Sequence, residues 1–150
     1  MSDVTQPVGV QFAGIDVLHH VVHPLLPGTA KPTVGFSISM QYQFSQVLEQ
    51  VQLELDIQVQ DIQTQRTVGE LKTCCTFSLK GVAQLNSETG TVTIDDNVID
   101  MFVSLSISTT RGILYSYFAN TYLNPLVLPV IDPKAFRQLM TEPTPHTGTA

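Results

Sequence analysis

The sequence predicts an α+β domain: a four-stranded antiparallel sheet, joined as a meander or Greek key, with a long helix and a short C-terminal helix on one face. Three observations lead there. Through the first eighty or so residues, apolar side chains recur at every second position, the period of a strand with one buried face. From about residue 96 the period becomes helical. Between the two helical segments, NPLVLPVIDPKAF (124–136) sets three prolines among Leu126, Val127, Leu128, Val130 and Ile131.

The elements follow in order. Val8, Val10 and Phe12 alternate, and the pattern slips by one near Gly14, as at a bulge. HPLLPGTAKP then reads as a Pro/Gly-rich link. The next strand carries Val34, Phe36, Ile38, Met40, Tyr42 and Phe44, and a turn is expected near Ser45 and Gln46. In the third strand Val51, Leu53, Leu55, Ile57 and Val59 alternate with Gln52, Glu54, Asp56, Gln58 and Gln60. QDIQTQRT reads as a hairpin loop. The run from Val68 to Leu79 is the fourth strand, closed by Lys80 and Gly81. Short connections make such strands antiparallel. The apolar face must be covered, and the other face carries Gln, Ser, Glu and Asp.

After NSETGTVTIDD, Asp95 or Asp96 can cap a helix expected over 96–119. Val98, Phe102, Leu105, Ile113 and Tyr117 have helical spacing, and Ile99, Met101, Val103 and Leu114 widen the apolar surface. One sheet does not need so wide an apolar face. The excess predicts a subunit interface, with Phe102, Leu105 and Ile107 as its candidates. A second helix, Pro133 to Met140, starts with Asp132 as cap and Pro133 at its first position. Residues 1–142 read as a single domain and 143–150 as a loose tail. There are no internal repeats.

Composition excludes several functions. The net charge is −6, only 13% of residues are charged, and the seven Lys and Arg are scattered. Nucleic-acid binding needs clustered cations, so no nucleic acid is expected; an acidic patch meeting a basic protein is easier to build. No run of 18 apolar residues occurs, so no direct membrane insertion is expected. MSDVTQPVG lacks a basic start and an apolar core, and the expected location is cytoplasmic. Cys74 and Cys75 are adjacent and would face opposite sides of a strand, which argues against a mutual disulfide; their spacing carries no zinc signal.

His19, His20 and His23 in HHVVH raise the question of a metal. His19 and His20 would face opposite sides of the strand, and no nearby Cys or carboxylate pair completes a shell. No metal and no cofactor are expected. Arg111, beside Gly112 in the long helix, is a candidate active-site cation without an acid, base or nucleophile in recognisable arrangement near it. No hydrolase, zincin or P-loop pattern is present, so an enzyme is not expected.

The proline-rich segment can be neither a good helix nor a central strand. It must be an extended strap whose apolar side chains lie on something: its own core, a partner subunit or a bound chain.

Two segments carry a resemblance. GELKTCCTFSLKG (69–81) has an acidic residue, Glu70, near its start and a Phe77-Ser78-Leu79-x-Gly81 ending. STTRGILYSYFANTY…LVLPVIDPKAF is a helix leading through an apolar stretch and a Pro-hydrophobic-Asp step to a helix with an aromatic residue. With the order of elements over about residues 8–140, these resemble the SecB family of export chaperones. The resemblance implies a tetramer, a dimer of dimers, that holds unfolded preproteins and passes them to the SecA motor. It implies that Leu126, Val127, Leu128, Val130 and Ile131, with Phe77 on the adjoining sheet, line an apolar client groove. The rival is that the strap only packs the second helix onto the sheet. It further implies that Glu70 and Asp16 belong to an acidic face that meets SecA. The first strand, GIDVLHHVV, and the short, nearly uncharged tail depart from the family pattern; some SecB-like proteins instead guard an antitoxin. Two other classes remain: a scaffold protein whose grooves are filled by its own chain, and a ligand-binding or enzymatic domain centred on Arg111 and the histidines.

Overall fold

A computed structural model describes residues 11–45, 49–79, 84–85 and 92–140. The expectations for Val8 and Val10, for the turn at Gln46, for Lys80 and Gly81 and for the tail at 143–150 lie outside these residues. Four long strands, β1 (Gln11–Val22), β2 (Val34–Ser45), β3 (Gln50–Asp61) and β4 (Thr67–Ser78), form one antiparallel sheet. A short hairpin, β5 (Gln84–Leu85) and β6 (Val92–Thr93), precedes helix α1 (Asp96–Tyr117), and α2 (Pro133–Met140) follows the strap. NSETGTVTIDD therefore contributes the strand β6, which its Ser, Thr and Gly content concealed.

The strand order is β1-β4-β3-β2. β2, β3 and β4 make a meander, and the chain places β1 beside β4, so β1 and β2 are the two edges. Register shifts lie between Phe12 and Gly14 and between Val17 and His19, so the slip near Gly14 is a real bulge. β2 pairs with β3 over its whole length without a shift.

Period-two patterning decides the faces. Val51, Leu53, Leu55, Ile57 and Val59 of β3, with Leu71, Cys75 and Phe77 of β4, are buried under α1. Asp95 caps α1, its carboxylate accepting from the Asn97 N–H at 2.8 Å. The helix ends at Tyr117 with Phe118 as its C-cap, two residues before the expected end. Phe102, Val103, Ile107, Thr110 and Leu114 form its buried stripe. Phe102 stacks on Phe77 with centroids 4.5 Å apart. The Thr73 and Thr110 hydroxyls, both buried, meet at 2.9 Å and fix where α1 lies along β4. At the other end of the helix, Gly69 admits Phe118: a Cβ there would sit 2.9 Å from the Phe118 ring.

α2 begins as expected, with the Asp132 carboxylate accepting from the Lys134 N–H at 3.0 Å. Its position on α1 depends on a pair that the sequence reading did not single out. Arg137 donates to Asp100 at 2.6 Å and lies 3.5 Å from Asp96. Phe136 packs into the core beside it.

Candidate functional site

The strap runs from the end of α1 to α2 and divides its side chains by alternation. Leu126 and Leu128 are buried in the core, at 1% and 2% exposure, whereas Val127 is 58% and Val130 92% exposed. Ile131 is half-buried and packs against the core. An extended segment turns successive side chains to opposite sides, so one short strap both closes the core and presents apolar surface.

Cations hold it in place. Arg111 donates from Nε to the Leu128 carbonyl at 3.0 Å and from Nη2 to the Pro129 carbonyl at 3.1 Å. Lys31 reaches the Asn124 carbonyl at 2.7 Å. The Tyr122 hydroxyl donates to the His23 carbonyl. Prolines at 125 and 129 remove donors from the strap, and carbonyls beside them, at Asn124, Leu128 and Pro129, are satisfied by side chains from elsewhere. Arg111, the candidate active-site cation, is thus a clamp on the strap.

The strap's outward valines are not the only exposed apolar side chains among the described residues. On α1, Met101, Leu105 and Tyr115 are exposed. With Ser108 and the open Gly112 between them, they follow one line along the helix, at spacings of four, three, four and three. A Cβ on Gly112 would meet nothing within 4 Å among the described residues, so no contact with them accounts for the glycine. At the sheet edges, Phe12 of β1 and Tyr42 of β2 are also exposed.

The sequence-derived site residues distribute unevenly between core and surface. Phe77 is fully buried, covered by Phe102 and edge-on to Phe12 at 5.4 Å; it belongs to the core and lines no exposed surface. Of the three interface candidates, Phe102 and Ile107 point into the chain's own core, at 2% and 3% exposure. A helix lying on a sheet must turn its largest side chains inward, and the excess apolar content belongs to the opposite stripe. Leu105, 42% exposed, is the member of the set that stands on it.

The other face of the sheet is polar. Register places Cys74 of β4 between Asp16 of β1 and Glu54 of β3. Glu54 lies 3.7 Å from Lys72, whose neighbours across the strands are His19 and Asp56. Glu70 lies four residues before Cys74 on the same face, about 13 Å away along the strand. Its Oε2 is 3.5 Å from His19 Nε2 and 3.6 Å from His23 Nε2. Asp16, Glu54, Asp56 and Glu70 outnumber Lys72, so this face is acidic. Burial, then the charges of Glu54 and Asp16, raise the Cys74 thiol above its usual range. The histidines divide as the alternation requires: His19 joins Glu70 outside, while His20 turns inward against the Tyr117 ring at 4.4 Å. Among the described residues, no group of three or more His, Cys, Asp or Glu is placed to hold a metal ion, and no helix is long and apolar enough to cross a membrane.

No protein-family model matches the chain, and no curated protein matches it by sequence. Among solved structures it is similar to the Mycobacterium tuberculosis SecB-like chaperone Rv1957, in complex with a ChAD peptide from the Rv1956 HigA1 antitoxin. That likeness has a TM-score of 0.52 at 11% identity, and covers 81% of this chain and 89% of that one. A Streptococcus agalactiae protein of unknown function gives a TM-score of 0.37 at 13% identity, over 81% of this chain and 97% of that one. The chain has the fold of a SecB-like chaperone, as the segments around Glu70 and the proline-rich strap led us to expect.

Proposed function

We propose that this protein is an ATP-independent holdase that binds non-native polypeptides on the helix side of its sheet. The observation that carries the proposal is the set of exposed apolar side chains outside the α1 stripe: Val127 and Val130 of the strap, and Phe12 and Tyr42 at the sheet edges. Exposed apolar side chains in such number mark an interaction surface. Binding there buries apolar area at about 25 cal/mol per Å². Because that term is non-directional, it accepts many sequences and releases them. The rigid strap reduces the ordering cost of each complex. The related fold of Rv1957, which holds an antitoxin peptide, supports a polypeptide as the ligand.

The remaining parts of the proposal are finer. The protein acts in the cytoplasm, is not an enzyme, and assembles into a homo-oligomer through the Met101–Tyr115 stripe, a dimer of dimers by the family resemblance. Two client programmes fit. In export, the acidic face with Glu70 and Asp16 meets SecA and preproteins are the clients. In the second, one dedicated client such as an antitoxin occupies the same surface, the programme that the peptide on Rv1957 favours. Aggregation of a chemically unfolded protein, followed by light scattering, is the test: near-stoichiometric suppression without nucleotide is expected, and no suppression at any ratio would end the holdase reading. SecA binding by wild type and by Glu70→Lys separates the programmes, since export requires a salt-sensitive loss in the variant.

A further inference from the structure

Three residues that client holding leaves unused meet on the acidic face. Glu70 of β4 stands opposite Val21 of β1. Val21 is too short and too apolar to engage a carboxylate. His19 and His23 lie two residues to either side of Val21 and share its face. Their Nε2 atoms lie 3.5 and 3.6 Å from Glu70 Oε2. The register shift between Val17 and His19 builds this meeting. Ile15 and Val17 pack against the core, and an unbroken alternation would send both histidines to the same side. The extra residue reverses the phase and turns them outward.

The carboxylates of this face differ in their cations. Glu54 has Lys72 at 3.7 Å, a charge present throughout the neutral and mildly acid range. Glu70 has no Lys or Arg within 4 Å among the described residues; its ionisable partners there are the two imidazoles. From β3 the neutral Gln58 faces it. Lys72 stands directly across from His19, with Asp56 beyond it, and Glu54, Asp16 and Cys74 lie further along the face. β2 places only Gly35, Ser37, Ser39, Gln41 and Gln43 there, none of them titratable. At the end of β1 the His23 N–H donates to the Val68 carbonyl at 2.9 Å, and the His23 carbonyl accepts from Tyr122, on which Arg66 also acts.

We propose that His19, His23 and Glu70 form a proton-operated cap that withdraws the acidic face from basic partners as pH falls. Histidine is the side chain that ordinarily changes charge between about pH 5 and 8. With both rings neutral, the trio carries one negative charge, and Glu70 is open to a Lys or Arg from outside. With both rings protonated, the trio carries one positive charge, and the imidazolium N–H groups are drawn to the carboxylate that a partner would need. The partner is a basic segment of another protein, because a carboxylate-rich face attracts Lys and Arg. Client holding, on the other side of the sheet, is not gated. The inference rests on the acidic docking face of the proposed function and adds its regulation.

The probe is a labelled peptide of about twelve residues alternating Lys with Ser, which has no apolar side chain for the helix side. At low salt the wild type should bind it about fivefold more weakly at about pH 5.5 than at about pH 7.5, a change on the scale of exposed ion pairs. His19→Gln combined with His23→Gln should hold its affinity across that interval, and should suppress aggregation as the wild type does. An equal fall in the double variant, or no fall in the wild type, overturns the cap. The side-chain carboxylate carbon resonance of Glu70 provides a measurement that needs no peptide. Over the same interval it should move further in the wild type than in the double variant, and equal movement also overturns the cap. Wild type that binds the peptide equally at both pH values retains the docking face and loses only its regulation; wild type that binds at neither loses the docking face and the cap with it.

Discussion

Cys75 stands on β4 under α1, fully buried, and burial is the leading cause that raises its thiol above the ordinary range. Cys74 faces the other side and is raised as well, by burial and by Glu54 and Asp16. A raised pKa on a group that is neutral when protonated favours the folded state only while the unfolded thiol is also protonated. Above about pH 8.5–9 the unfolded thiols ionise and the folded ones do not. Stability contributed by these groups is therefore present at neutral pH and lost as pH rises through that range. Denaturant midpoints should fall between about pH 8 and 10, and the slope should flatten in Cys75→Ala. An unchanged slope would show that other groups govern the alkaline limb. At neutral pH the same two residues are protonated thiols, poor nucleophiles and poor ligands.

At the scale of the element, the strap separates two roles that the sequence reading left as rivals. Leu126 and Leu128 close the core, while Val127 and Val130 face out. Leu126→Ser should cost stability on the scale of buried Leu truncations, about 2–5 kcal/mol, and should lower client binding only through that loss. Val127→Ser and Val130→Ser should leave the thermal midpoint within a degree or two of wild type and weaken client binding directly. Thermal melts and client titrations on the same variants give both quantities. Proportional losses at every strap position would remove the strap from the binding surface. Arg111 is part of this division, because its guanidinium holds the carbonyls of Leu128 and Pro129 and so sets which way Val130 points.

Across the whole molecule, α1 packs on the sheet and against α2, and one stripe of it faces outward. Its inner stripe rests on β3 and β4, and its outer stripe of Met101, Leu105, Ser108, Gly112 and Tyr115 meets no other part of the described chain that would explain Gly112. Glycine at an exposed helix position costs about 1 kcal/mol relative to alanine, and small residues at 108 and 112 allow a second helix to approach closely. Leu105→Asp should lower the sedimentation coefficient at micromolar concentration while leaving the circular-dichroism spectrum unchanged. Ile107→Asp places a charge in the core and should unfold the chain. A wild type that sediments as a monomer would remove the interface. The acidic face lies on the far side of the sheet from α1, so one chain can assemble through its helix and still present Glu70 and Asp16 outward.

Much of this architecture was determined locally. The alternation at Val51–Val59 is unambiguous because a strand has only two faces and one is buried. Asp95 and Asp132 cap the two helices because a short carboxylate before a helix satisfies its free N–H groups. The slip near Gly14 announced a bulge, and the prolines at 125, 129 and 133 left the strap no regular structure to adopt. Tertiary structure alone decided where these pieces meet. Helical periodicity shows how wide an apolar face is, but not which sector of it rests on the sheet, so Phe102 and Ile107 could not be separated from Leu105. The ion pair of Arg137 with Asp100, the clamp of Arg111 on the strap and the meeting of Glu70 with His19 and His23 each join residues far apart in the chain. Such contacts leave no periodic trace, because their geometry depends on the strand order and on the angle at which α1 crosses the sheet. For the same reason, that β2 is an edge could be seen only once β1 was found beside β4, leaving β2 with one partner strand among the described residues.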